Sequence, residues 1–532
     1  MEFETVLNSE LGQFGKYQLI NIILLTLPAA ASGFMAGDYV FTAGKLPYRC
    51  AVTLCDEQPT EFAPEWILNA IPRTTTGFED CSRYANLSDT TSTTFPNDAC
   101  PPELFDRNTI IPCEGYIYGR TNTVVYDFGL ECKEWLRALA GTLNSLGAMI
   151  ALPLAGFVSD YFGRRISIVF FAFNVALVGL LKAFSVNYTM YVTLQFMHTA
   201  IGGGLYSAAY ILATELVGPK FRVPTSAMMS SCFALGQALL GAVAAVVHEW
   251  RKLTLTLFIP VFSLLSYYWI VTESHRWLLS KSKNDKARST LENAARLNGR
   301  KISVDTMNFL LTAIPQQSKE KTDTINDRLL IIRVIKSPVM LRRCCTTPVY
   351  WIATTFIYYG LSINSVSLSG NMYLNYILTS LIEIPGYWTA YKALDKVGRK
   401  VTLFTGYMLC SVCCVAFSFT PKNMYVLSLI LYLTGKFSTG VIFTSLYLFT
   451  SELYPTRHRH SFLGFSSMLG RIGSVVSPLT PPLMVYWSGI PSMLFAVMSA
   501  IAGMLILTQP ETRGQKIPDT FEDAEQIGLR TK

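Results

Sequence analysis

Apolar runs of about 18 to 27 residues recur along the whole chain, separated by charged or glycine-containing turns. Each is long enough to cross roughly 30 Å of hydrocarbon as a helix, which takes about 20 residues. The pattern predicts twelve spans in two sets of six. The first set lies at 19–41, 138–158, 166–185, 190–214, 225–247 and 252–272, and the second at 347–367, 371–393, 400–420, 424–450, 461–486 and 489–509. Glycine and polar residues within 190–214 and 371–393 predict broken helices there. The expectation is an all-α membrane protein, with an N-terminal unit at 1–272 that includes a long loop at 42–136. A helical linker at 273–346, a second unit at 347–510 and a tail at 511–532 follow. The opening "MEFETVLNSELGQFGKYQL" lacks the basic start and short apolar core of a cleavable signal, so the first span is expected to stay.

Composition agrees: 51% of residues are hydrophobic and 15% charged, against about 25% charged in soluble domains. Charge then sets orientation. Residues 273–346 hold fifteen Lys/Arg against seven Asp/Glu, and 45–134 hold seven against fourteen. The basic segment is read as cytoplasmic, together with both termini, and the short loops "YFGRR" and "DKVGRK" agree. These loops account for the net charge of +8, and no feature points to nucleic acid.

Six of twelve cysteines (Cys50, Cys55, Cys81, Cys100, Cys113 and Cys132) fall in the outer loop, which predicts a disulfide-bonded ectodomain with fifteen possible pairings. Asn86-Leu87-Ser88 in that loop is a glycosylation sequon. The crowded "CSVCC" has no histidine or acid beside it and is read as packing residues, so no metal site is expected.

Three landmarks recur between the two sets. "DYFGRR" after the second span returns as "DKVGRK" after the eighth, "ELVGPKFR" after the fourth as "ELYPTRHR" after the tenth, and "ESHRW" after the sixth as "PETRG" after the twelfth. The offsets all lie between about 235 and 238 residues, which predicts a duplicated six-helix bundle. Glycine permits a tight reversal there, and the arginines can reach carboxylates or helix ends. Asp160, Arg164, Glu215 and Arg222, repeated as Asp395, Arg399, Glu452 and Arg459, are therefore predicted gating residues, with Arg165 beside Arg164.

These loops resemble the signatures of the major facilitator superfamily. With the cysteine-bearing loop, "ESHRWLLSK", "YYGLSIN", "IEIPG", "GKF", "ELYPT" and "PETRGQKIPDT", essentially the whole chain resembles the organic cation, organic anion and carnitine transporters of solute carrier family 22. The resemblance implies two six-helix bundles rocking about a central site in the plasma membrane, moving small organic ions by alternating access. It implies no cofactor; a co-transported or exchanged ion is a further possible partner beside cargo and bilayer.

Three charges fall inside spans: Glu383 in the eighth, Lys436 in the tenth and Arg471 in the eleventh, each roughly 15–18 Å from an end at 1.5 Å per residue. Charges at that depth are costly and normally face a cavity or each other. Asn375, Thr379 and Glu383 form one polar stripe, and Ser467, Arg471 and Ser474 another. One acid and two bases leave a net positive site, favouring an anionic or zwitterionic cargo. By resemblance the set looks most carnitine-like, with Arg471 and Lys436 for a carboxylate and Glu383 for a quaternary ammonium; the competing reading makes Glu383 a structural counter-ion.

Aromatic faces hold such ammonium groups. Trp351 and Tyr358 share a face of the seventh span, with Tyr359 beside them, and family matches add Tyr206, Tyr210 and Phe233. Where the cation branch often has a lysine in the fourth span, this chain has Gly203 in "IGGG", read as a close helix contact. No H-E-x-x-H or G-x-S-x-G motif points to an enzyme, and no P-loop points to a pump. An organic anion exchanger of the same family and a substrate sensor that does not transport are the alternatives.

Overall fold

The computed structural model describes residues 10–53, 55–56, 61–74, 77–87, 100–311, 334–421, 423–455, 458–515, 518 and 521–527. Among the described residues, eight helices are long and apolar enough to cross a membrane: Lys16–Thr42, Glu134–Phe162, Arg164–Ala183, Pro219–Val246, Trp250–Ile270, Arg399–Phe419, Tyr425–Leu453 and Ile490–Leu507. Four more complete the predicted twelve. The fourth span is Tyr188–Gly202 followed by Gly204–Leu216, and the eighth is Met372–Leu381 followed by Glu383–Lys396, so both predicted breaks are present. The seventh is Pro338–Asn364, beginning earlier than its apolar run because Pro338 is tolerated in a helix's first turn. The eleventh, Arg459–Val476, ends in two short 3-10 turns at Ser477–Leu479 and Pro481–Val485, where prolines remove the donors an α-helix needs.

Each set of six has its own apolar core. One gathers Leu25, Phe171, Leu212, Met229 and Phe258, and the other Tyr350, Leu403, Leu446 and Phe495. Within the first half, spans one and five meet through small residues. A Cβ on Gly33 would strike the Phe233 carbonyl, and one on Gly236 the Ala30 carbonyl. Spans seven and eleven repeat this at Gly470 and Gly473, which abut Trp351 and Ile352.

The segment between the first two spans folds as a small cap. Antiparallel strands pair Tyr48–Cys50 with Tyr116–Tyr118 and Ser82–Asn86 with Phe105–Pro112. The disulfides are Cys50–Cys113, Cys55–Cys100 and Cys81–Cys132. Arg49, fully buried, anchors the interior with a two-pronged bond to Asp56. Asn86 is exposed at the end of its strand, and Ser88 of its sequon lies outside the described residues.

The halves join on the cap side. Phe41 stacks on Tyr373 and packs edge-on to Tyr376, Arg120 reaches Met372 Sδ at 3.6 Å, and Gly141 abuts Pro478. Toward the other end, Gly156 of the second span and Gly464 of the eleventh face open space.

Beyond the sixth span, helices His275–Ser280 and Asn284–Leu297 lie against the first half, the second ending at Asn298-Gly299 as the sequence predicts. A short helix, Phe521–Gln526, closes on the second half, where Arg343 Nη1 donates to the Ala524 carbonyl.

Candidate functional site

The break at Ile382 puts Glu383 at the start of the eighth span's second segment, its side chain fully buried. Oε1 lies 2.9 Å from Lys436 Nζ, and Oε2 accepts from the hydroxyls of Tyr358 and Tyr387, each at 2.6 Å. Lys436 is also fully buried and donates to Ser362 Oγ at 2.7 Å and the Tyr358 carbonyl at 2.9 Å. Both ions are therefore satisfied inside the second half. The stripe of Asn375, Thr379 and Glu383 is buried as well, with Tyr425 of the tenth span donating to Asn375. It serves helix packing in this state rather than lining an opening.

Arg471 differs. It is half-buried, its Nη1 donates to Tyr359 Oη at 3.1 Å, and among the described residues no carboxylate lies within ion-pair distance. The seventh span thus splits adjacent tyrosines between two tasks: Tyr358 serves Glu383 and Tyr359 serves Arg471. Their rings pack edge to face at 5.2 Å.

Around Arg471 both halves contribute aromatics. Tyr447 of the tenth span, 41% exposed, is within electrostatic reach of Arg471, Tyr359 and Tyr210. Tyr206 lies 5.8 Å from Tyr210 and 5.4 Å from Phe233 between ring centroids, and Ser230 and Ser226 partner the two tyrosine hydroxyls. The structure therefore brings Tyr206, Tyr210 and Phe233 together and sets Tyr359 against Arg471, all four half-buried. Trp351 and Tyr358 are withdrawn, both buried; Trp351 packs edge-on against Tyr447 at 4.5 Å and donates to Thr450.

Sequence reasoning missed Tyr447 and Phe443, whose ring lies 5.3 Å from that of Tyr358 and 5.5 Å from that of Tyr447. Their spacing could have found them, since Lys436, Phe443 and Tyr447 are seven and four residues apart and share a helix face. It also missed a second buried ion pair among the spans. Lys182 Nζ bonds to Asp38 Oδ2 and to Gln195 Oε1, and Gln195 in turn reaches Asp38 Oδ1 and Asn144. Both charges lie near span ends and read as interfacial.

The repeated loops form two matching constellations. Arg164 pairs with Glu215 at 3.0 Å and Asp160 at 2.9 Å, and donates to the Ser159 carbonyl. Arg399 pairs with Glu452 at 3.0 Å and Asp395 at 3.8 Å, and donates to the Leu394 carbonyl. Asp160 and Asp395 side chains are 74% and 71% exposed, so the glutamates carry the interaction. The ion pairs of Arg164 and Arg399 all stay within their own half.

A third acid completes each set. Glu273 accepts from the backbone N–H of Arg164 and Arg165, and Glu511 from those of Arg399 and Lys400, so they cap the starts of the third and ninth spans. Burial pushes the Glu273 carboxyl above its ordinary range, against the pull of those donors. The landmarks "ESHRW" and "PETRG" contained both acids, but sequence gave them no role. Arg165 lies over the Tyr268 ring at 5.2 Å, Arg222 accepts a bond from Ser226 through its carbonyl, and Arg459 opens the eleventh span.

The family model of the Major Facilitator Superfamily matches residues 134–478 and 376–529. The chain is 30% identical over 529 residues to an organic cation transporter protein of Drosophila melanogaster, covering 98% of this chain and 94% of the relative. It is 27% identical over 540 residues to solute carrier family 22 member 3 of Rattus norvegicus, covering 97% and 94%. Among solved structures, the xylose transporter XylE from E. coli in a partially occluded inward open conformation superposes with a TM-score of 0.63 at 17% identity, covering 94% of this chain and 99% of that one. At that identity the likeness speaks for the fold.

Proposed function

Because the chain belongs to the Major Facilitator Superfamily and, within it, to solute carrier family 22, we propose that it carries a small organic zwitterion across the plasma membrane by alternating access. Arg471 takes the cargo's carboxylate, and the tyrosines around it take the ammonium. The observation that carries this reading is the arginine without an acid among the described residues: Asp38 offsets Lys182 and Glu383 offsets Lys436, leaving Arg471 as the uncompensated charge of these five. Tyr206, Tyr210, Phe233, Tyr359 and Tyr447 supply π faces for a quaternary ammonium. Glu383, sealed against Lys436, acts here as its counter-ion rather than as the ammonium partner.

In this reading the termini and the linker at 273–346 face the cytoplasm, and the cap faces outward and carries glycan at Asn86. The Arg164 and Arg399 clusters hold the cytoplasmic ends of the two bundles, 1–272 and 347–510, as rigid bodies. Energy comes from ion or substrate gradients. The name of the Drosophila relative favours a cationic component in the cargo, whereas the lack of an accessible carboxylate beside Arg471 among the described residues favours an organic anion as the second reading.

Uptake of labelled carnitine, tetraethylammonium and p-aminohippurate by expressing cells tests this. Preference for carnitine supports the zwitterion; preference for p-aminohippurate supports the anion. Preference for tetraethylammonium, unaffected by Arg471→Ala, overturns the assignment of Arg471.

A further inference from the structure

The segment after the sixth span carries a second concave surface, remote from Arg471. A cleft of about 560 Å³ is lined by Arg288, Glu292, Arg296, Arg300, Lys301 and Val304, among others. Glu292 is engaged by Arg288 on the same helix, with Nε 3.1 Å from Oε1. The nearby Glu10 is engaged by Ser303 and Thr306, and Asp305 is exposed beyond the rim. Among the described residues Arg296 and Lys301 therefore give the cleft an excess of positive charge, and Arg300 lines it beside them.

Local conformation builds the cluster. Helix Asn284–Leu297 ends at Asn298, and Gly299, at a φ of +66°, turns the chain back so that Arg300 and Lys301 line the same cleft as Arg296. Asn298 fixes its height: Oδ1 accepts from Tyr17 N at 2.9 Å, and Nδ2 donates to Gln18 Oε1 at 3.0 Å, both in the first turn of the first span. Directly beyond, Leu19, Ile20 and Ile23 are 45%, 50% and 53% exposed, as residues facing lipid are. The cleft thus sits where the first span enters the bilayer, with Val304, 67% exposed, among its lining residues.

We propose that this cleft binds the phosphorylated headgroup of an anionic lipid in the adjacent leaflet. Guanidinium forks match phosphate oxygens in pairs, and basic clusters beside a span are drawn to anionic headgroups. A soluble phosphate would feel the same charges, but it has no acyl chains to set against Val304 and the outward face of the first span.

The test uses purified full-length protein in detergent, titrated with dioctanoyl phosphatidylinositol phosphate and, separately, with dioctanoyl phosphatidylcholine and free inositol phosphate. Binding is read by thermal shift and native mass spectrometry. Wild type is expected to bind the anionic lipid saturably and in preference to the other two. Arg296→Gln with Lys301→Gln, both on the exposed surface, should weaken that binding about tenfold or more. Lys281→Gln with Lys286→Gln, exposed cations outside the cleft, should leave it unchanged. Equal weakening by both pairs, or none by the cleft pair, would mean diffuse attraction and overturn the site. Inositol phosphate binding as tightly as the lipid would overturn the lipid assignment.

Discussion

Lys436 Nζ sits 2.9 Å from Glu383 Oε1 and 3.7 Å from the centroid of the Tyr358 ring, with both charged side chains wholly buried. Removing one partner of such a pair strands the other charge, whereas replacing both with apolar or neutral groups is nearly neutral. Glu383→Gln and Lys436→Met should each cost about 3–5 kcal/mol, and the double variant should recover most of the loss. Thermal unfolding of the purified variants, with surface expression in parallel, measures this. A Glu383→Gln protein as stable as wild type but with a raised KM for cationic cargo would instead put Glu383 in contact with substrate.

Arg471 donates to Tyr359 and to no acid among the described residues, so a cargo carboxylate supplies the charge-assisted partner it lacks. Such bonds are worth about 1.5–3 kcal/mol. Arg471→Ala is thus expected to reduce kcat/KM for a carboxylate-bearing probe by roughly 10- to 100-fold. Tetraethylammonium uptake, if present, should not fall. Arg471→Asp should shift selectivity further toward the cation, and competition uptake at matched surface expression reads the ratio.

Much of this architecture was legible in the residues, because lipid allows few solutions. Span length, the breaks near Gly203 and Glu383 and the duplicated loops follow from apolar periodicity and from where glycine and charge interrupt it. The partnership of Lys436 with Glu383 was less legible. Depth put them at one level, but helix rotation decided whether they faced cargo or each other, and that depends on Gly386 packing against the Phe437 carbonyl at close range. Asp38 and Lys182 escaped notice because a charge near a span end has an inexpensive alternative in the interface. Glu273 and Glu511 cap helices that begin more than a hundred residues earlier in the chain, a contact no local pattern encodes.

Gly163 and Gly398 occupy φ values of +102° and +109°, between the second and third spans and between the eighth and ninth. A Cβ at Gly163 would strike the Glu273 carboxylate, and one at Gly398 would lie 2.8 Å from Glu511 Oε2. Alanine at either position therefore combines backbone strain with displacement of the capping acid. Each variant should lose more than about 1 kcal/mol of stability, and the two losses should be similar because the sites are structurally equivalent. Thermal unfolding of Gly163→Ala and Gly398→Ala checks both statements. A loss at one site alone would mean that the repeated geometry is not repeated in energy.

The duplication repeats one ion pair in each half, Arg164–Glu215 and Arg399–Glu452, half-buried at 3.0 Å and tying together the starts and ends of helices within that half. Each arginine also bonds to a backbone carbonyl one turn earlier, of Ser159 or Leu394, so its fork and its charge act together. Arg164→Lys and Arg399→Lys keep the charge, lose the fork and should retain partial uptake. Arg164→Glu and Arg399→Glu set two carboxylates against each other and should abolish it. Swapping the pair, Arg164→Glu with Glu215→Arg, should restore surface expression more than transport, because glutamate cannot donate to the Ser159 carbonyl. Maximal uptake rate per surface molecule separates these outcomes. Full transport by the swapped protein would reduce the cluster to a simple ion pair, whereas loss in one half alone would confine gating to that bundle.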